Sequence, residues 1–387
     1  MTYDVIEIGN LMLRKGGSVN PLKFQDETFE LYSIPSYDKQ ETEIIKGKDI
    51  GSTKQIVQCN DVMISKIVPH IRRAWVVNES KGYRQIASGE WIVFRSEKIY
   101  PNYLRHLLIS DFFNKKFMET VSGVGGSLLR ARPAFVGKIL IPLPPLEEQR
   151  RIASILDKAD AIRQKRQQAI AKLDELLQAT FIDMFGDESN DYKGIDKVNL
   201  LDKVDFLTGF AFKSNDFKSS GIKLCRGINV LTGYLDWNST AYWDSSEHDK
   251  FKKFELKKDD IVIAMDRPWI SSGFKISMIG EEDKDILLVQ RVARLRSKES
   301  SYSNFIYHLL DSHNFKNHCN VTETTIPHIS PTDFKTFLIP DASQSQILKF
   351  DKFAKAVRAQ KQAMRISLEK SNDFFNSLQQ KAFNGTL

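Results

Sequence analysis

Two stretches of the chain repeat a mostly apolar position at alternating steps of three and four. In residues 144–186 the stripe runs through Ile152, Ile155, Ala159, Ile162, Arg166, Ala169, Leu173, Leu176 and Thr180. In residues 342–387 it runs through Ile347, Phe350, Ala354, Val357, Lys361, Met364, Leu368, Ser371, Phe375, Leu378 and Ala382. So narrow a stripe predicts a long helix that faces a single partner helix. At roughly 1.5 Å per residue the first helix would extend about 55–60 Å. Neither has enough apolar surface to stand alone. The two are therefore expected to pair antiparallel, through Ile152, Ile155, Ile162, Leu173 and Leu176 on one and Ile347, Phe350, Val357, Met364 and Leu368 on the other. Arg166 and Lys361 interrupt the stripes near mid-helix. They would repel if they faced each other, unless they snorkel outward or an acid such as Asp157 lies near.

The helix ends carry their own signals. Pro144 and Pro145 suit a first turn, where a missing N–H is no loss. Glu147 and Glu148 complement the positive end of the helix dipole. Ser343 with Gln346 reads as a capping box. Gly186 and Gly385 read as stops.

Outside the helices the apolar pattern changes period. VQCNDVMISKIV, RQIASGEWIVFRS, DDIVIAMDR and ILLVQRVARLRS run or alternate as strands do. Each strand-rich region is followed by a short helix, YLRHLLISDFFNKKFMET or FIYHLLDSHNFKNH, then a loop, then a last strand ending Ile-Pro. The two regions align in order. Asp61–Ile64 falls on Asp260–Ile263, Pro69 and Ile71 on Pro268 and Ile270, and Trp75 on Phe274, all 199 residues apart. Asn102-Tyr103 and His106–Leu108 fall on Asn304-Phe305 and His308–Leu310 at 202, and Ile141-Pro142 on Ile339-Pro340 at 198. The chain is thus two copies of one module. The expected fold is α/β (α+β), with two similar mixed domains, 1–143 and 187–341, separated by long helices at 144–186 and 342–387 and related by a pseudo-two-fold.

Composition narrows the class. With 387 residues and 25 Phe the chain has enough apolar mass for real cores. No apolar run approaches the roughly 18 residues that span a bilayer, and MTYDVIEIGN lacks a secretory pattern. Cys59, Cys225 and Cys319 are odd in number and far apart, which points to the cytoplasm rather than a disulfide framework. A net charge of +7 permits a polyanionic partner without requiring one.

The stretch IPLPPLEEQRRIASILDKADA, followed by LLQATFIDMFG, resembles the central conserved region of specificity subunits of Type I restriction-modification systems. LQQKAFNGTL resembles their C-terminal conserved region. LTGFAFKSNDFKSSGIKLCRGINV and TETTIPHISPTDFKTFLIP resemble the start and end of their target-recognition domains. The second copy departs in having IPDASQSQ where the family more often has LPPLEEQ. The resemblance implies a non-catalytic subunit that reads a split, asymmetric target in double-stranded DNA, one domain per half-site. It also implies docking of two DNA adenine methyltransferase subunits, with restriction and translocase subunits able to join. S-adenosylmethionine, ATP and magnesium would then belong to the partners, and this chain would hold no cofactor or metal. Half-site centres about 34–36 Å apart suit a protein on one face of B-DNA.

DNA contacts are expected where polar residues follow the shared strand. These are Lys66, His70, Arg72 and Arg73 in the first copy, and Arg267, Trp269, Ser271 and Ser272 in the second. The loops before the last strands add Ser127, Arg130 and Arg132, and Thr322, Thr324, Thr325 and His328. The FKS turn adds Lys213 and Ser214. Arginine pairs with guanine, serine and threonine adapt, and any of these can hold phosphate. A solvated charge is the plainer reading of each residue taken singly, and Trp269 equally suits a core.

Other chemistry finds little support. There is no Walker loop and no Asn/Asp-Pro-Pro-aromatic methyltransferase tetrapeptide. His313, His318 and Cys319 lack a second ligand pair for zinc. Asp61 with Glu79-Ser80-Lys81 has the look of a magnesium nuclease, but the second copy keeps Asp260 without the Glu-x-Lys. A coiled-coil protein-interaction scaffold without DNA specificity is the alternative of a different class.

Overall fold

The computed structural model describes residues 3–13, 16–123, 129–187, 191–270, 273–319 and 328–387. The chain forms two units, residues 1–168 with 365–387 (unit 1) and residues 169–364 (unit 2). The long helices Leu146–Phe185 and Gln344–Asn384 each give one half to each unit.

Unit 1 is built on the strand Val62–Ser65, paired antiparallel with Ala74–Val76 on one side and Trp91–Phe94 on the other. Val62 and Ile64 point into one core cluster and Met63 into another, so both faces are covered. A strand buried on both faces must read as a continuous apolar run, as DVMIS does. A five-stranded sheet lies beside it, in which Thr28–Tyr32 pairs parallel with Arg84–Ala87 and antiparallel with Glu43–Lys46. Val5–Glu7 pairs with Leu140–Pro142 and closes the unit.

Unit 2 repeats this plan. Ile261–Ala264 lies between Ile276–Met278 and Val292–Ser297, with Val204–Thr208 added at the edge. Ile222–Cys225 pairs parallel with Ile286–Leu288 and antiparallel with Ala241–Trp243. Lys197–Asn199 pairs with Leu338–Pro340 in the same register as Val5–Glu7 with Leu140–Pro142. Before the central strand, Asn60 and Asp259 both turn the chain with a left-handed φ, +72° and +65°, a region that Asn and Asp tolerate. The next residue in each copy, Asp61 or Asp260, is buried and takes a two-pronged pair from Arg95 or Arg296 at 2.6–2.7 Å.

Most of the helix signals hold; Pro144 and Pro145 instead precede the first turn, since the helix starts at Leu146 and the Pro145 carbonyl accepts its first bond, from the Gln149 N–H. Glu147 and Glu148 lie in the first turn, and Ser343 and Gln346 exchange capping hydrogen bonds. Gly186 and Gly385 take φ of +79° and +76° after the last turns. Gln149, fully buried, accepts from the Tyr100 N–H at 2.7 Å and donates to the Lys98 and Pro144 carbonyls. That clamp is a physical reason for a Gln at the end of PLPPLEEQ. Each short helix docks on its long helix through the same amide–carboxylate pair, Asn102 to Asp157 at 3.0 Å and Asn304 to Asp351 at 2.8 Å.

The halves of the long helices pair antiparallel within each unit. In unit 1 Arg151 reaches the Leu387 carbonyl and Arg166 reaches Ser371. In unit 2 Lys361 pairs with Asp174, and Phe181 and Phe185 pack on Phe350. Ile152, Ile347, Phe350 and Val357 are buried in these seams, and Ile155, Leu173, Met364 and Leu368 are half-buried.

Four further expectations are corrected. Ile162 and Leu176 are 50% and 48% exposed. At about 100° per residue, a position three on from a seam residue lies on one flank of its helix and a position four on lies on the other. The partner sits on the four-on flank, so Leu156, Arg163 and Leu177 take the places given to Ile155, Ile162 and Leu176. Arg166 and Lys361 each face their own partner, Ser371 and Asp174, while Asp157 is taken by Asn102, Arg105 and His106. Each short helix is two helices, broken where Ser110 and Ser312 cap the second by accepting from the N–H of Phe113 and Phe315. Finally, Trp75 pairs with Met63, and the partner of the matching Val262 is Ser277. Trp75 therefore corresponds to Ser277, not Phe274, because the second copy has three more residues around its paired strands Trp269–Ile270 and Gly273–Phe274.

Candidate nucleic-acid interface

In each unit the central strand runs out into a polar loop, and a second loop comes to meet it. In unit 1 Ile67 bridges Arg130, the Ala131 N–H donates to the Lys66 carbonyl at 2.7 Å, and the Val68 N–H donates to the Leu129 carbonyl. In unit 2 Asp266 bridges His328, and the Ile329 N–H donates to the Met265 carbonyl at 2.8 Å. The two candidate loops, more than sixty residues apart in sequence, are thus stitched together by the same backbone contacts in both copies. Val68 and Arg267, each followed by proline, both take φ of +46°. A left-handed residue before proline is unfavourable, so the surrounding contacts hold both loops in one shape.

The unit 1 candidates form a cationic rim whose members already have internal partners. Lys66 donates to the Gly89 carbonyl and faces Glu90 at 3.9 Å, and Arg130 meets the same Glu90 at 3.2 Å. Arg72 pairs with Asp111 at 2.6 Å, and Arg132 lies over the Phe135 ring at 4.0 Å. His70 is exposed. The more exposed pair, Arg72 with Asp111, contributes about 0–1 kcal/mol, so a phosphate can displace Asp111 at little cost, whereas Glu90 is half-buried. Arg73 differs. It is only 8% exposed and grips Asp38 with two hydrogen bonds of 2.7 and 2.9 Å, so it is a buried structural cation in this state.

In unit 2 Arg267 and His328 are exposed on the stitched loops. Trp269 is half-buried, stacked on Phe274 at 4.8 Å and packed against the core cluster. Lys213 and Ser214 are exposed at the start of a short 3-10 turn. Ser127, Ser271, Ser272, Thr322, Thr324 and Thr325 lie outside the described residues.

The remaining candidate chemistry has other employment. Both oxygens of Asp61 are taken by Arg95, and one also accepts the Gln58 N–H. The hydrogen bond to Asp61 raises the Arg95 guanidinium above its ordinary range, and Asp260 repeats the arrangement with Arg296 and the Lys257 N–H. The Asp61 carboxylate is thus a structural lock with no oxygen turned to solvent. His318 bonds the Asp333 carbonyl and Thr336. Among the described residues no three His, Cys, Asp or Glu side chains group as metal ligands do. No described helix is long and apolar enough to cross a membrane.

Sequence alignment had missed one residue of this region. The 199-residue offset places Arg73 on Ser272, but strand register places it on Lys275. The Ser65 N–H donates to the Arg73 carbonyl, and the Ala264 N–H to the Lys275 carbonyl. Only the pairing of the strands reveals this, since the extra residues fall within the loop.

Comparison with known proteins fits this twofold design. Residues 3–172 and 192–362 each match the Type I restriction modification DNA specificity domain. The chain is 30% identical over 255 residues to the Type I restriction enzyme EcoAI specificity subunit of Escherichia coli, covering 65% of this chain and 42% of that protein. It is 31% identical over 191 residues to the MjaVIII specificity subunit of Methanocaldococcus jannaschii, covering 46% and 45%. The matches thus span under half the length of these two curated relatives. The crystal structure of a Type-I restriction-modification system S subunit from M. genitalium aligns with a TM-score of 0.59 at 13% identity, over 99% of this chain and 96% of that one. That likeness speaks for the fold. With both of its units matched, the chain belongs to the family of Type I restriction modification DNA specificity domains.

Proposed function

We propose that this chain is the sequence-reading subunit of a Type I restriction-modification complex and catalyses no reaction itself. Unit 1 reads one half of a bipartite, asymmetric target in double-stranded DNA, and unit 2 reads the other. The observation that carries this reading is the duplicated loop pair, Ile67 with Arg130 and Asp266 with His328. One scaffold presents different side chains twice, which is what two unequal half-sites require. Phosphate contacts set affinity and register while base-edge contacts set sequence, and the paired cations of unit 1 suit the first task.

Two DNA adenine methyltransferase subunits dock on this chain and bring S-adenosylmethionine. Restriction and translocase subunits bring the ATP and magnesium chemistry, and the complex works in the cytoplasm. The test is modified-base sequencing of the host genome with the gene intact and deleted. The expected result is a split motif carrying methyladenine on both strands that vanishes on deletion. An unchanged methylation pattern with the methyltransferase expressed, together with a salt slope near zero on duplex DNA, would instead make the chain a protein-interaction scaffold.

A further inference from the structure

Lys275 and Arg73 occupy the same place in the two units, one residue beyond the strand that pairs with the central strand. Both are buried, at 9% and 8% exposure. Their surroundings differ. Arg73 is neutralised by Asp38. Among the described residues Lys275 has no ion pair and its ammonium makes no hydrogen bond; the stem is buried, but the ammonium keeps access to solvent.

Nor does the neighbourhood relieve it. Val262 pairs with Arg294 on one side and Ser277 on the other, and Lys275 lies two residues from Ser277. Strand alternation therefore puts Arg294 and Lys275 on one face of the sheet. Arg294 is 7% exposed, and its Nε also lacks a partner. Arg296 shares that face but is taken by Asp260. In unit 1 the place of Arg294 is held by Val93, opposite Met63. Among the described residues, this place in unit 2 thus holds a cation without an ion pair, where unit 1 pairs its cation with Asp38. Burial pushes the Lys275 ammonium below its ordinary range, and Asp266 only partly restores it. Asp266 itself is 54% exposed and turned to Arg291 at 3.6 Å.

A buried cation without a partner lowers the stability of the fold that holds it. It becomes favourable when an anion arrives. The Lys275 N–H is tied to the Pro268 carbonyl at 2.7 Å, at the foot of the candidate loop and next to the paired strands Trp269–Ile270 and Gly273–Phe274. Resting on the DNA-reading function above, we propose that Lys275 is a phosphate-binding residue of unit 2, held without an internal partner until the DNA backbone supplies one. A phosphate, not a base edge, is the fitting occupant, because a full negative charge best offsets an ammonium that stands on a buried stem without an acid beside it.

The experiment measures binding of the full chain to fluorescent duplexes, one carrying the methylated motif and one scrambled, across a salt series. In Lys275→Met, binding to both duplexes weakens by the same factor, and the slope of log K against log salt becomes shallower by about 0.9, one phosphate contact. The melting midpoint stays level or rises, because a partly desolvated charge without an ion pair is gone. Lys275→Arg restores the slope. Lys258→Met, at the far end of the same strand pair and engaged with Glu281, leaves it unchanged. Neutral methylphosphonate linkages stepped along the duplex give a second measurement. One linkage weakens the wild type and has no further effect on Lys275→Met.

An unchanged slope in Lys275→Met overturns the proposal. So does a lowered melting midpoint with binding intact, which would make the lysine structural. Altered discrimination at one base pair with the slope intact would make it a base reader and overturn the phosphate assignment. Failure of the wild type to bind either duplex removes the DNA-reading function itself, a different result from failure of the variant alone.

Discussion

Asp61 and Asp260 show how much one side chain can fix. Each is buried at the start of the central strand, takes a two-pronged guanidinium, and accepts the N–H of the residue three before it. The left-handed Asn60 or Asp259 turns the chain into that position. Asp61→Asn keeps the shape and removes the charge that Arg95 needs. Loss of one member of such a pair is expected to destabilise unit 1 by about 3 kcal/mol, read as an earlier transition in urea unfolding of the full chain. Asp260→Asn is expected to do the same to unit 2. His308 gives a residue-scale pH dependence. It sits against the Phe181 ring at 4.5 Å, its Nε2 has no partner, and burial pushes its pKa from 6.5 down to about 4. Between those values the unfolded chain takes up a proton that the folded chain refuses, so stability falls as pH drops through that window. Above it the contribution is complete. His308→Leu is expected to flatten this part of a plot of melting midpoint against pH.

At the scale of elements, the apolar pattern announced what was periodic and hid what was not. The long helices, their caps at Ser343 and Gln346, and their stops at Gly186 and Gly385 were legible because each rests on local chemistry. The seam phase was not. Ile162 and Leu176 satisfy the period as well as Leu156 and Leu177, and only the partner's side of the helix decides between them. Register suffered likewise. The shared Asp61 and Pro69 aligned correctly, but three more residues in the second copy carried the match past Trp75 and concealed Lys275. Candidate loops could be found by composition, since polar residues after an apolar run mark an exit from the sheet. Which cation was buried could not. Arg72 and Arg73 are neighbours in sequence, yet one is on the rim and the other inside.

For the whole molecule, the long helices are the two covalent crossings between the units, at residues 168–169 and 364–365. If they set the spacing between half-sites, removing one matched turn from both helices shortens the non-specific spacer of the methylated motif and leaves its two words intact. The check is modified-base sequencing of a strain carrying the deletion, and an unchanged spacer discards the idea.

The same division of the helices bears on the order in which the chain is made. Unit 2 is one continuous stretch, whereas the core of unit 1 includes Phe375, Ala382 and Phe383. On the ribosome, the part that begins first therefore finishes last. Its N-terminal strands emerge early but wait for the end of the second helix, while the module between them has every residue it needs to close. A chain released just before Phe375 would hold a complete unit 2 beside an open unit 1, with Tyr103 and His106 still lacking the rings that cover them.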